Sequence, residues 1–168
     1  MQILHYPHPA LRWKSTPITR IDYQLRKIVR EMFELMYASE GIGLAANQVG
    51  LPYRLFVLNL TADPNQSDQE HVFINPEILA KDGSRVSQEG CLSVPGYYDD
   101  VERAERIRVR ALDRDGTTFE EELTGLLAVC VQHEIDHLDG RLFVDYLSEL
   151  RSEEHTSELQ SPYVISYA

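Results

Sequence analysis

His133-Glu134-Ile135-Asp136-His137 carries the residues of this chain best suited to chemistry. Two histidines at this spacing lie on one face of an α-helix, one turn above each other, so both imidazoles can grip one metal ion. The same spacing holds Glu134 beside water carried by that ion, where a carboxylate can act as a general base. Histidine and glutamate are also ordinary helix-surface residues. H-E-x-x-H alone therefore does not separate a metal site from a solvated helix face. Two further stretches favour metal chemistry: Gly41-Ile42-Gly43-Leu44-Ala45-Ala46-Asn47-Gln48 and Glu89-Gly90-Cys91-Leu92-Ser93.

A catalytic metal commonly takes three protein ligands and keeps a position open for water or substrate. His133 and His137 supply two. The extended pattern H-E-x-x-H-x-x-G-x-x-H is excluded, because Gly140 fits its glycine but Phe143 stands where its last histidine belongs. A downstream glutamate is one option, with Glu153, Glu154 and Glu158 as candidates. Cys130 shares the helix face of His133 but lies a turn too far back for a short side chain with a metal–sulfur bond of about 2.3 Å. A small apolar core residue is its simpler reading. Cys91 follows a glycine between strands and can approach from across the helix. A buried free thiol is the alternative there.

Residues 22–39 read as an amphipathic helix. Asp22 is its N-cap, and Leu25, Ile28, Val29, Met32, Phe33, Leu35 and Met36 recur at the helical period. Gly41 and Gly43 are expected to stop it. From Arg54 to about Leu123 the signals are mainly strand signals. Leu55–Leu60 is a short apolar run, Val72-Phe73-Ile74 is expected to end at Asn75-Pro76, and Ile107–Leu112 alternates with period two. Asp115-Gly116 marks a hairpin turn before a strand near Thr117–Leu123. Thr61–Gln69 reads as a mobile polar loop. Thr124 is a candidate N-cap and Gly140 the stop of a second helix. The first half of that helix is apolar nearly all round, so it is expected to be buried. Burying two imidazoles requires partners for their nitrogens, and a metal supplies them. No internal repeat or low-complexity tract is present.

The 168 residues are 43% hydrophobic and 26% charged, as in an ordinary globular domain. Lys plus Arg number 16 against 27 Asp plus Glu, a formal charge of −11 that argues against nucleic acid as a ligand. Asp99-Asp100-Val101-Glu102 and Glu120-Glu121-Glu122 read as solvated faces. No apolar run reaches membrane-span length, and Met1–Pro7 lacks the features of a secretion signal. Two cysteines are too few for a disulfide framework, so a cytoplasmic setting is expected.

Taken together, G-x-G-L-A-A-x-Q, E-G-C-L-S and Q-H-E-x-D-H-L resemble the three signature motifs of the peptide deformylases. They occur in order, with Gln132 before His133 and Leu138 after His137. The likeness also covers Ile3–Arg12 and runs to about Leu147. It implies that Cys91, His133 and His137 hold one divalent metal, Fe²⁺ in the cell, replaceable by Zn²⁺, Ni²⁺ or Co²⁺. Glu134 would be the general acid/base. Gln48, with the backbone N–H of Leu92, would donate to the developing oxyanion. The implied reaction removes the formyl group from the N-terminal methionine of nascent peptides and releases formate. Gly43 and Gly90 would let an extended peptide lie against the backbone. Ile42, Leu126, Val129 and Cys130 would line a pocket for the methionine side chain, with plain core packing as the alternative. Glu89 is a candidate partner for a ligating histidine. The expected fold is α+β: mainly antiparallel strands packed around a central metal-binding helix, plus an N-terminal amphipathic helix.

Two rival readings are an endopeptidase with a downstream glutamate ligand and a non-catalytic protein with a structural Cys/His₂ site. The second has no use for Glu134 or Gln48. Residues 1–147 are assigned to a catalytic domain and 148–168 to an atypical tail. Related bacterial enzymes often end in a basic helix implicated in ribosome docking. Here Arg151–Ala168 holds three Glu and one Arg, so the resemblance leaves ribosome docking through it open, and a non-native origin by sequence-assembly error is one reading.

Overall fold

The computed structural model describes residues 1–146. Helix α1 spans Tyr23–Ala38, and the Asp22 carboxylate accepts the Leu25 N–H at 3.0 Å, as an N-cap should. Its buried face is Leu25, Val29, Met32, Phe33 and Met36. The helix closes at Ser39, and the chain turns through Glu40 at φ 58°, before either glycine. Gly41 serves a different purpose. A Cβ there would lie 2.6 Å from Leu92 Cδ1, so its bareness admits Leu92.

Strands β1 (Gly43–Ala45), β2 (Leu55–Leu58), β3 (His71–Asp82), β6 (Arg106–Leu112) and β7 (Thr118–Thr124) form an antiparallel sheet in the order β1-β2-β3-β6-β7. Strands β4 (Arg85–Cys91) and β5 (Val94–Arg103) pair as a separate antiparallel ribbon. Helix α2 (Gly125–Leu138) lies between these layers. It packs on Phe56, Phe73, Ile107, Val109 and Leu123 of the sheet and makes one core with them. The expected α+β architecture around a buried helix is present.

Several local expectations are corrected. Strand β3 passes through Asn75-Pro76 with a register shift instead of ending there. Asn75 turns at φ 52°, and its side chain bonds both the N–H and the carbonyl of Ile18 at 2.8 and 2.7 Å, so the strand kinks and resumes. The Asp99–Glu102 run is not a solvated face. It lies on β5, where strand alternation sends Asp99, Val101 and Arg103 inward and Asp100 and Glu102 out. The Thr61–Gln69 segment is tied down by buried Asn59. That side chain accepts from the Thr61 N–H and hydroxyl and donates to the Gln66 carbonyl. Thr124 precedes α2 in extended conformation, but its side chain makes no capping bond. Gly140 follows α2 at φ 75°, and a Cβ there would lie 2.4 Å from the Arg12 carbonyl oxygen.

Candidate metal centre

Three segments distant in sequence converge on the ribbon-facing side of α2. The helix presents His133, Glu134 and His137, all buried. The end of β4 brings Cys91. A 3-10 turn after β1, Ala46–Val49, brings Gln48. Cys91 Sγ lies 3.4 Å from His137 Nε2, which lies 3.2 Å from His133 Nε2. One ligand atom from each of the three residues falls within 4.8 Å of the other two. Tetrahedral coordination with metal–nitrogen bonds of about 2.0–2.1 Å and a metal–sulfur bond of about 2.3 Å gives edges of about 3.3–3.6 Å. The thiol and two imidazoles therefore fit a single ion of zinc-like size. Cys130, by contrast, is embedded in the apolar core.

Two buried carboxylates adjoin the histidines. Glu89 Oε1 lies 2.8 Å from His133 Nδ1. Arg103 grips Glu89 through Nε and Nη2, both at 2.8 Å, and donates Nη1 to Asp136 at 2.5 Å. The Tyr146 hydroxyl also donates to Asp136, at 2.6 Å, and the guanidinium lies 4.9 Å from the Tyr146 ring centroid. Burial pushes the Glu89 carboxyl up, but the Arg103 and His133 hydrogen bonds outweigh it and hold its pKa down to about 2. An ionised Glu89 accepts the Nδ1 proton of His133 and leaves the Nε2 lone pair facing Cys91 and His137. Phe143, which fills the place of a third histidine in the sequence pattern, stacks on the His133 ring.

Glu134, next to His133 on α2, is also fully buried, and neither carboxyl oxygen has a hydrogen-bond partner among the described residues. Burial, reinforced by the charge of Glu89, raises its pKa well above the usual carboxylate range. Cys91 is raised by burial and by Glu134, while backbone N–H groups of Ser93 and Val94 pull it the other way. A divalent cation would reverse these penalties for both groups. The Gln48 side chain is also buried. Its oxygen accepts the Ala45 N–H at 2.9 Å, and its nitrogen faces Ser93 Oγ at 3.1 Å and Cys91 Sγ at 3.7 Å.

Ile42, Val129 and Cys130 lie in one apolar cluster with Leu126 packed against it. Leu92 is half-buried over Gly41. Gly43 pairs with Leu58 across β1 and β2. Gly90 has a packing reason of its own, since a Cβ there would lie 2.2 Å from the Tyr98 ring. Sequence reasoning missed Arg103, Tyr146 and Ser93. Arg103 was readable only through the alternation of β5, two residues on from inward-facing Val101. Ser93 stood inside the E-G-C-L-S stretch without an evident task. Glu153, Glu154 and Glu158 lie outside the described residues, as does the tail assigned to 148–168.

A family model for polypeptide deformylase matches residues 1–153. A peptide deformylase of Alkalilimnicola ehrlichii is 56% identical over 151 residues, covering 90% of this chain and 84% of that protein. The crystal structure of a Legionella pneumophila peptide deformylase superposes with a TM-score of 0.86 at 45% identity, covering 92% of this chain and 90% of that one. A Synechococcus elongatus peptide deformylase crystallised in complex with actinonin gives 0.88 at 41% identity, over 92% and 85% of the two chains.

Proposed function

This chain belongs to the peptide deformylase family, and from that premise we propose how its own residues divide the work. The enzyme is a hydrolase that removes the N-formyl group from the N-terminal methionine of nascent polypeptides and releases formate. It uses a single bound metal ion. Cys91, His133 and His137 are the proposed ligands, and their mutual distances support that reading most directly.

A divalent cation held by Cys91, His133 and His137 would supply a Lewis acid able to acidify water and polarise a carbonyl, and would favour the ionised form of Glu134. Glu134 takes a proton from the attacking water and later delivers it to the departing amine nitrogen. Neither of its oxygens has a hydrogen-bond partner among the described residues, which leaves both available for that transfer. The Gln48 amide and the Leu92 backbone N–H donate to the oxygen on which negative charge grows. Glu89, held ionised by Arg103, keeps His133 in the tautomer a ligand needs.

Ile42, Leu126, Val129 and Cys130 are proposed to receive the methionine side chain, with Gly43 and Gly90 flanking the extended peptide. Their apolar clustering supports this. Fe²⁺ is the proposed native ion, with Zn²⁺, Ni²⁺ or Co²⁺ able to replace it, as a one-thiolate, two-imidazole donor set allows. The enzyme is proposed to act in the cytoplasm, where nascent chains emerge. No described helix is long and apolar enough to cross a membrane. The catalytic domain is proposed to end near residue 147.

The decisive experiment measures metal stoichiometry and formate release from a formyl-Met peptide for Cys91→Ser and Cys130→Ser, purified anaerobically in parallel. Cys91→Ser should lose the metal and the activity, because a hydroxyl is a far poorer ligand than a thiolate. Cys130→Ser should stay loaded. The opposite pattern overturns the ligand assignment.

A further inference from the structure

We propose that Ser93 is a positioning residue: its buried hydroxyl accepts one Gln48 N–H and thereby turns the other toward the Cys91 side of the centre. The proposal rests on Gln48 being the oxyanion donor and adds what aims it. The orientation of the Gln48 amide is unambiguous, because its oxygen faces the Ala45 N–H at 2.9 Å and a backbone N–H can only donate. Its nitrogen therefore carries two N–H groups into the space between Ser93 Oγ, at 3.1 Å, and Cys91 Sγ, at 3.7 Å.

A planar amide held at its oxygen and at one N–H cannot rotate without breaking a bond. The second N–H is then committed to one direction. Gln48 and Ser93 are both 0% exposed, so bulk water is not at hand to replace a lost partner. The seat of Ser93 is itself fixed. Its carbonyl accepts the Tyr6 N–H at 2.7 Å, and the Gln48 carbonyl accepts the Leu4 N–H at 2.7 Å. One N-terminal stretch thus ties down the backbones of both partners. Without the hydroxyl, the Cys91 sulfur is the remaining acceptor that the Gln48 nitrogen meets among the described residues, and the amide should tip toward it.

The test is a double-mutant cycle on the zinc-loaded enzyme, read by formyl-Met-peptide kinetics and by the NMR resonances of the Gln48 side-chain amide. Ser93→Ala should lower kcat about tenfold with KM little changed, against about a hundredfold or more for Gln48→Ala. The two Gln48 amide protons should shift in Ser93→Ala while metal content stays the same. In the Gln48→Ala background, adding Ser93→Ala should cost nothing further, because its only route of action is gone. Full additivity of the two substitutions, or unmoved Gln48 resonances in Ser93→Ala, overturns the role of Ser93 and leaves Gln48 as donor. An unchanged kcat in Gln48→Ala overturns both assignments together.

Discussion

Glu89 and Glu134 are two buried carboxylates beside one pair of histidines, and the protein treats them oppositely. Glu89 accepts two bonds from Arg103 and one from His133. Glu134 has no hydrogen-bond partner among the described residues. One carboxyl is held ionised, the other is pushed toward its neutral form. Satisfying a buried charge builds a rigid wall, and leaving one unsatisfied keeps a proton carrier ready at a cost in stability. On the proposed reading, the contrast teaches a division of labour: the satisfied carboxylate positions a ligand, and the unsatisfied one does the chemistry.

The sharpest way to break this contrast is Glu134→Gln. It should retain the metal and lower the rate of formate release by about 10⁴-fold, the upper range for one group serving as both base and acid. Loss of metal along with activity would mean that Glu134 is structural and the two carboxylates are alike. Next in size is Arg103→Leu, which leaves Glu89 and Asp136 buried without their cation. Removing one partner of such a buried pair costs about 3–5 kcal/mol. Urea denaturation should show this, and a change within about 1 kcal/mol would remove Arg103 from the account.

Acidity sharpens the comparison further, because the two groups act with opposite sign. Glu89 titrates near 4.5 when unfolded and near 2 when folded. Its contribution, ~3 kcal/mol, is present above about pH 4.5 and lost as pH falls through about 2. Glu134 is raised, so between its unfolded and folded values the folded state holds the extra proton. Stability then falls as pH rises through that window. Chelator-stripped Glu134→Gln should therefore be more stable than the stripped parent at neutral pH, and the difference should vanish in acid. A pH-independent difference would remove burial of an unpaired carboxyl as its source. The smallest effect is expected at Cys130→Ser. A hydroxyl set into the apolar core costs about 1–3 kcal/mol in thermal or urea unfolding, with the metal retained. A larger loss, together with an empty site, would move Cys130 from the core to the centre.

The residues able to do chemistry were legible in the sequence because their signals are local or conspicuous. H-E-x-x-H declares its own helix face, and the amphipathic period of α1 and the apolar surface of α2 declare which elements are buried. The Asp22 cap and the Asp115-Gly116 turn were equally readable. Cys91 was not selected by spacing, since a ligand arriving from another element leaves no periodic trace. It entered through the three-motif resemblance.

Only the tertiary structure decided what surrounds those residues. Glu89 was a candidate partner of a histidine from the sequence, but Arg103, Asp136 and Tyr146, which complete its network, come from the ribbon, the helix and a later turn, and a charge pair across such separations has no sequence period. The inward face of Asp99 and Arg103 required knowing that an acidic stretch was a strand. The continuation of β3 past Asn75-Pro76 depended on Ile18, more than fifty residues earlier, whose N–H donates to the Asn75 side chain and whose carbonyl accepts from it. By itself the sequence determined which side chains can act and which helix carries them, because periodicity and residue chemistry are local properties. Which of them are paired, aimed or left bare is set by contacts between distant segments, and those exist only once the chain is folded.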